Sequence, residues 1–365
     1  VKNEPLIAQL PKAGKIRKTV ENKVLGYKEL TLSNGAKVIM KKTDFKDNEI
    51  LFSAKAKVGY SAFEKADQSS VMLMTQALDA SGLGNFTNAE LEKAMAGKQA
   101  SVKFTMDPFY HGLSGKSTPK DIETLMQLIY LDMTAVKKDE KSFANLQNTY
   151  ATVLANQSNN PNLVFQDSVQ STVYLGSKLA RIPSADDIKA INYDRLLAIG
   201  KQYYGNAKDF TFYFVGNYDE ATLLPLIEQY IASLPAKGCT LQNKDIPYAK
   251  GKVSNVFTKA MSNPQNQVQE IWYAMTPYTL KTDVLADMAA RLLEMKYLRS
   301  IREELSAAYH AGATASVFTD KDGLAAVNIV GSAQLNPEKS DAAIPCFFQG
   351  TVSYTNLTLP TTRKV

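Results

Sequence analysis

The stretch LADMAARLLEMKYLRSIREELSAAYHAGATA, Leu285–Ala315, decides the fold predicted for this chain of 365 residues. Its apolar residues recur every three or four positions, which places them along one stripe of a helix. The stripe consists of Leu285, Met288, Leu292, Met295, Leu298, Ile301 and Leu305. Charged residues take the other faces, so we expect the helix to bury this stripe against a sheet. The small residues of Tyr309–Phe318 predict a strand that leaves the helix end.

Arg302 and Tyr309 flank this helix-to-strand corner. A guanidinium and a phenol fixed side by side can hold a peptide carbonyl or stabilise a developing oxyanion. The alternative is structural: an arginine paired with a neighbouring glutamate, and a tyrosine half-buried on a strand. The spacing of Arg302 and Tyr309 taken alone favours the structural alternative. A role in substrate binding therefore needs support from the surrounding sequence.

The run RSIREELSAAY resembles the Arg-x6-Tyr signature near the C-terminus of the pitrilysin/insulinase (M16) zinc metallopeptidases. In that family the arginine and the tyrosine reach across a closed chamber towards the substrate. The resemblance therefore implies that Arg302 and Tyr309 contact the substrate. Ser306 stands where the family usually has glycine, and His310 stands where it often has serine.

Upstream segments extend the resemblance. Tyr27–Lys41 holds two short alternating runs around Asn34-Gly35, a strong hairpin signal, and Glu49–Val58 alternates as a third strand. This order resembles the opening of an M16 domain. The run VGNYDE, residues 215–220, followed by a helix, resembles the end of such a domain.

Catalytic M16 domains carry His-x-x-Glu-His on the next helix, where two imidazoles bind zinc and the glutamate activates water. The corresponding segment here, Asp67–Ser81, contains neither histidine nor glutamate, and the whole chain has two histidines. We therefore expect no catalytic residue and no metal site in this chain, and we interpret His111 as structural. The resemblance implies zinc in a full-length protein, bound by an N-terminal half outside this sequence.

The resemblance implies an α+β fold with two M16-type (LuxS/mitochondrial-processing-peptidase-like) domains, each an antiparallel-rich mixed sheet covered by helices, the second incomplete. The predicted segments are a linker (1–25), an inactive M16-type domain that is the third of the full-length protein (26–236), and a partial C-terminal domain with Arg-x6-Tyr (237–345). Ile344-Pro345 predicts a break in the last helix. Residues 346–365 resemble translated cloning sequence and are predicted to be a non-native tail.

Composition agrees with two soluble domains, because 365 residues exceed one ordinary domain and 45% of them are hydrophobic. A net charge of +6 spread over this length, without a basic block, argues against nucleic acid as a partner. No apolar run reaches the roughly 20 residues that cross a bilayer. Two cysteines leave the redox compartment open.

By resemblance, the chain is expected to be the C-terminal half of a bacterial zinc metalloendopeptidase, truncated at both ends and inactive alone. It closes the chamber and contributes contacts for peptide hydrolysis. Its expected partners are a peptide substrate and an N-terminal catalytic half, in the same chain or a partner subunit, in the periplasm or cell envelope. The alternative is a non-catalytic M16-like subunit or scaffold that partners a separate active chain.

Overall fold

The computed structural model describes residues 2–262 and 264–355. They form two compact units. The first unit comprises the chain up to Gln157 together with Gln170–Ala249, and the second comprises Ser158–Val169 together with the chain from Lys250 onward. No helix among the described residues is both long enough and apolar enough to span a bilayer.

The first unit is built on a seven-stranded mixed sheet. Its strands are β1 (Ile16–Asn22), β2 (Tyr27–Leu32), β3 (Lys37–Lys42), β4 (Ile50–Lys57), β6 (Ala100–Met106), β7 (Tyr110–Ser117) and β9 (Thr211–Gly216), while β5 (Gly82–Leu83) pairs separately with β8 (Val136–Lys137). The order is β1-β2-β3-β9-β4-β7-β6, and only β3 and β9 run parallel. Alternate residues of β4 are buried and exposed, so helices cover one face of this sheet.

Among the described residues, eight α-helices precede Lys250 along the chain, and one of them, α5, begins in the second unit. They are α1 (Met74–Asp79), α2 (Asn88–Ala94), α3 (Ile122–Thr134), α4 (Glu140–Ala155), α5 (Pro161–Val173), α6 (Ala185–Lys189), α7 (Tyr193–Tyr204) and α8 (Glu220–Leu226). A 3-10 segment, Lys65–Leu73, leads into α1, and a π-helical segment, Ile227–Ile231, follows α8. The sequence of the segment without zinc ligands predicts ordinary core packing for Val71, Leu73, Met74, Ala77 and Leu78. The last four are buried, and Val71 is partly buried against the same core.

The hairpin predicted at Asn34-Gly35 is confirmed, because β2 and β3 pair antiparallel and Gly35 has a φ of 85° that favours glycine. The segment predicted as a linker differs from the structure, since β1 pairs with β2 at the edge of the sheet. Residues 237–249, placed by sequence in the second domain, pack with the first unit. There Asn243 Oδ1 accepts the Gly59 N–H at 3.0 Å.

The second unit holds a three-stranded antiparallel sheet, two further helices and the start of α5. Its elements are β10 (Asn266–Thr276), α9 (Leu280–Tyr297), a π-helical segment (Leu298–Glu304), β11 (Ala308–Thr319), β12 (Ala325–Leu335) and α10 (Ser340–Thr355). The strand order β10-β12-β11 repeats the order β4-β7-β6 of the first unit, again with a helix between its first two strands along the chain and a helix after the last. The two units therefore share this part of their topology. From the sequence alone we predict that the second domain starts with a strand at Val253–Thr258. This prediction is wrong, because that segment is irregular backbone.

The predicted buried stripe of α9 is wrong. Four of its members are exposed: Leu285, Met288, Leu292 and Met295, the last with 65% of its surface accessible. The buried residues of α9 are instead Ala286, Ala290, Leu293 and Tyr297. Ile301 of the predicted stripe, in the π-helical segment, is buried as predicted. Small alanines let the helix approach the sheet closely, and a Cβ at Gly331 would stand only 2.7 Å from the Tyr297 hydroxyl. The buried face of α9 is therefore determined by how closely the helix fits the sheet, and not by the size of its apolar residues.

The predicted helix break at Ile344-Pro345 is also wrong, because α10 continues through Pro345 to Thr355. Proline removes one backbone hydrogen bond inside a helix. The fully buried Phe347 compensates by stacking on Tyr297, with ring centroids 4.5 Å apart. The non-native tail stays a prediction, and its residues 356–365 lie outside the described part of the chain.

Candidate functional site

The end of α9 presents Arg302 on a widened helical turn. Thr279 caps the start of the helix, since its Oγ1 accepts the Thr282 N–H at 3.1 Å. At the other end the chain passes into the π-helical segment that carries Arg302. Such segments are rare and occur frequently at functional sites. The Arg302 side chain is exposed and forms no ion pair with any described residue, whereas nearby Arg299 pairs with Glu304 at 3.2 Å.

A fixed corner joins this turn to β11. Ser306 adopts a φ of 47°, in the left-handed region that favours glycine, which explains the glycine usual at this position in the family that the sequence resembles. The buried Ala307 donates its N–H to Ile301 O at 2.9 Å. Lys339 donates to the carbonyl oxygens of Leu305 and Ser306 at 3.1 and 3.3 Å. This lysine satisfies helix-end carbonyls that would otherwise lack partners.

Tyr309 occupies a β-bulge on the edge strand. Ala308 pairs with Leu335 and His310 pairs with Gln334, so Tyr309 is the extra residue between two consecutive pairs. Bulges re-aim side chains and occur frequently beside active sites. Tyr309 is 86% exposed, which contradicts the structural alternative of a half-buried tyrosine. The structure thus presents Arg302 and Tyr309 to solvent on either side of one corner.

His111 has the structural role expected of it. It is 2% exposed, its Nδ1 lies 2.5 Å from Val58 O, and its Nε2 lies 2.9 Å from Tyr203 O. Tyr203, Tyr204 and Phe210 surround the ring edge-on. Burial lowers the pKa of His111, because the charged imidazolium would lose its hydration.

Two carboxyl groups of the first unit, those of Asp79 and Asp132, have pKa values that burial raises. Asp79, at the end of α1, accepts the Phe104 N–H at 3.0 Å, and burial raises its pKa to about 6. Burial, followed by the neighbouring charge of Asp79, raises the pKa of Asp132 well above its usual range. No basic side chain forms an ion pair with either group among the described residues, so no ion pair offsets the rise that burial causes in their pKa values.

The residues present do not fit a zinc ion. The 3-10 segment and α1 contain no histidine or glutamate, and the described ranges hold no cluster of three or more His, Cys, Asp or Glu side chains able to bind a metal. One imidazole, His111, faces backbone carbonyls inside the core, and the other, His310, lies on the strand after the corner. A peptidase built with this chain needs its zinc ligands from elsewhere.

Sequence reasoning missed a row of glutamines beside the corner. Gln265 directly precedes β10, and Gln267 and Gln269 alternate along its start; alternation places side chains on one face of a strand. The register of the sheet sets Gln267 opposite Gln334, which in turn pairs with His310. The alternation was visible in the sequence, but its partners across the sheet were not.

Comparisons with known proteins point to one family. Residues 190–355 match the family model described as the peptidase M16 inactive domain. The probable zinc protease PqqL of Escherichia coli is 26% identical over 298 residues, which cover 79% of this chain and 31% of that protein. The chain thus spans about a third of the length of the curated relatives it matches.

Solved structures share the fold. The crystal structure of the periplasmic protease PqqL from Escherichia coli matches with a TM-score of 0.82 at 22% identity, over 99% of this chain and 39% of that one. A peptidase M16 inactive domain from Pseudomonas fluorescens matches with a TM-score of 0.71 at 15% identity, over 94% of this chain and 80% of that one. The α+β fold class with M16-type domains, predicted from the sequence, is confirmed.

Proposed function

The chain belongs to the M16 peptidase family, and we propose that it is the C-terminal half of a zinc-dependent metalloendopeptidase. In this proposal an N-terminal half, in the same chain or in a partner subunit, binds the zinc, which supplies an activated water. The present chain closes the chamber and holds the peptide. The periplasm or cell envelope is the proposed location, supported by the periplasmic relative from Escherichia coli.

Arg302 and Tyr309 are the proposed substrate contacts. The observation that carries this role is the exposed Arg302 guanidinium, which no described carboxylate neutralises, beside an 86% exposed tyrosine on a bulge. A planar guanidinium offers five N–H donors to peptide carbonyl oxygens, and it gives up no ion pair to do so. The Tyr309 hydroxyl can donate to an oxyanion that forms during hydrolysis. The corner held by Ser306 and Lys339 fixes both backbones before substrate arrives.

The test replaces Arg302 in the protein assembled with its N-terminal half. Loss of a charge-assisted hydrogen bond costs about 1.5–3 kcal/mol, so Arg302→Ala is expected to lower kcat/KM for a quenched fluorescent peptide by about 10- to 100-fold. Tyr309→Phe should lower kcat/KM through kcat, because it removes one hydroxyl donor. Arg299→Ala is the matched control, since it removes an equally exposed arginine that already has a partner.

The thermal midpoint of each variant should stay at the wild-type value, because both side chains point into solvent and pack against little. An unchanged kcat/KM in Arg302→Ala would refute the assigned role. A complex that binds zinc yet hydrolyses no peptide would refute the proposal that the chain is half of a peptidase, and it would favour a non-catalytic subunit.

A further inference from the structure

The sheet of the second unit has a polar face opposite the side that packs under α9. Gln267, Gln334 and His310 form one row across the three strands, and Gln269 and Ser332 belong to the next row on the same face. The alternate residues Val268 and Ala333 belong to the hydrophobic core on the other side. This polar face therefore lies outside that core.

The start of α5, which belongs to the same unit, turns part of this face into a cleft of about 360 Å³. Phe165 and Gln166 line one side, and amide, hydroxyl and imidazole groups of the two rows line most of the rest, which Val268, Val330 and Ala333 complete. No aspartate, glutamate, lysine or arginine lines the cleft. An uncharged lining with many hydrogen-bonding groups suits an uncharged polar ligand, because a charged ligand would lose hydration without a counter-charge.

A chain of hydrogen bonds fixes the amides of the cleft. Gln265 Oε1 accepts from Gln334 Nε2 at 3.0 Å and from Gln267 Nε2 at 3.2 Å, and Gln267 Nε2 also donates to Asn162 Oδ1 at 2.7 Å. Within the described ranges, the Oε1 atoms of Gln267 and Gln334 accept no hydrogen bond. One N–H of Gln334 also stays available. Acceptors and a donor are thus held ready before any ligand arrives.

We propose that this cleft, here named the amide cleft, binds the carboxamide side chain of a glutamine or asparagine in a peptide. A carboxamide both donates and accepts, so it satisfies the glutamine Oε1 atoms and the free N–H together. A carboxylate only accepts and leaves the Oε1 atoms facing an anion, which costs binding energy. That the peptide is a peptidase substrate rests on the proposed function; Tyr309 directly precedes His310, so one peptide can reach both.

The test measures binding and needs no hydrolysis. Fluorescently labelled short peptides of alanine, serine and threonine carry one glutamine at successive positions, each with an isosteric glutamate twin. By fluorescence anisotropy with the 365-residue chain, at least one position should bind about 10-fold more tightly as glutamine than as glutamate. Gln334→Leu should abolish this preference. Gln242→Leu, which alters an exposed glutamine of the first unit, should retain it.

His310→Ala provides a second variant, since its exposed side chain is not needed for folding, and it should reduce the same preference several-fold. Equal affinity of the glutamine and glutamate peptides at every position overturns the amide cleft. So does a preference that persists in a folded Gln334→Leu protein. If Arg302→Ala leaves hydrolysis unchanged while the Gln334-dependent preference persists, the proposed role of Arg302 fails and the amide cleft stands.

Discussion

Replacing Asp79 by asparagine tests the electrostatics of the first unit. The wild-type carboxyl accepts the Phe104 N–H through Oδ1, and it shares the interior with Asp132. Asparagine keeps a side-chain oxygen that can accept the same N–H, and it cannot ionise. The substitution therefore removes the ionisation of Asp79 while leaving the hydrogen bond and the side-chain volume nearly unchanged.

The expected magnitude follows from the raised pKa of Asp79. Burial raises this pKa from 3.8 to about 6, and each pKa unit corresponds to about 1.4 kcal/mol, so the full effect is about 2–3 kcal/mol. Between these two pH values the folded state binds more protons than the unfolded state, so the free energy of unfolding falls as pH rises from about 4 through 6. Wild type and Asp79→Asn should be equally stable near pH 4, and the variant should be about 2–3 kcal/mol more stable at pH 7.5.

Urea unfolding followed by far-UV circular dichroism at pH 4.0, 5.0, 6.0 and 7.5 measures this difference. Trp272, the single tryptophan, lies on β10 in the second unit, so its fluorescence does not report on Asp79 directly. Asp186→Asn is the control, because it removes an exposed carboxylate from α6. A stability difference between wild type and Asp79→Asn that does not change with pH would refute the reasoning.

Three further predictions concern the second unit, each measured as a change in the free energy of urea unfolding. Ser306→Gly should stabilise the protein by about 0.5–1 kcal/mol because it relieves a φ of 47°, and a loss of stability would contradict this. Tyr297→Phe should be neutral or stabilising by about 1 kcal/mol, since the buried hydroxyl has no hydrogen-bond partner among the described residues; a clear loss would reveal one. Met295→Gln should cost less than about 0.5 kcal/mol because Met295 is 65% exposed, whereas Leu293→Ala should cost about 2–5 kcal/mol because Leu293 is buried. Similar costs for the two variants would contradict the assignment of Leu293 to the buried face of α9 and Met295 to the exposed one.

Local signals predicted most of the first unit. The Asn34-Gly35 turn and the alternation of β4 predicted strands that the structure contains. β1 was missed because its exposed, charged sequence IRKTVEN lacks the alternation of a half-buried strand. Its place at the sheet edge depends on backbone pairing with β2, which a hydrophobic pattern does not report.

The corner was located from sequence because Arg302 and Tyr309 are close in the chain, and local helix and strand patterns place both. The π-helical widening at Leu298–Glu304 and the bulge at Tyr309 were not predicted, since both arise where the helix and the edge strand adjust to the sheet. The roles of Arg302 and Tyr309 stay predictions.

The sequence by itself determined the Asn34-Gly35 hairpin, the lack of zinc ligands in Asp67–Ser81 and the position of the corner, because these depend on residue type and local periodicity. The α+β class came from the resemblance to the M16 family. Only the tertiary structure decided which face of α9 is buried. Two apolar stripes lie side by side on that helix, and the one with Ala286, Ala290 and Tyr297 fits over the glycine and alanines of the sheet. The amide cleft likewise exists only after β10, β12 and β11 pair, because strand register brings together glutamines and a histidine that are distant in sequence.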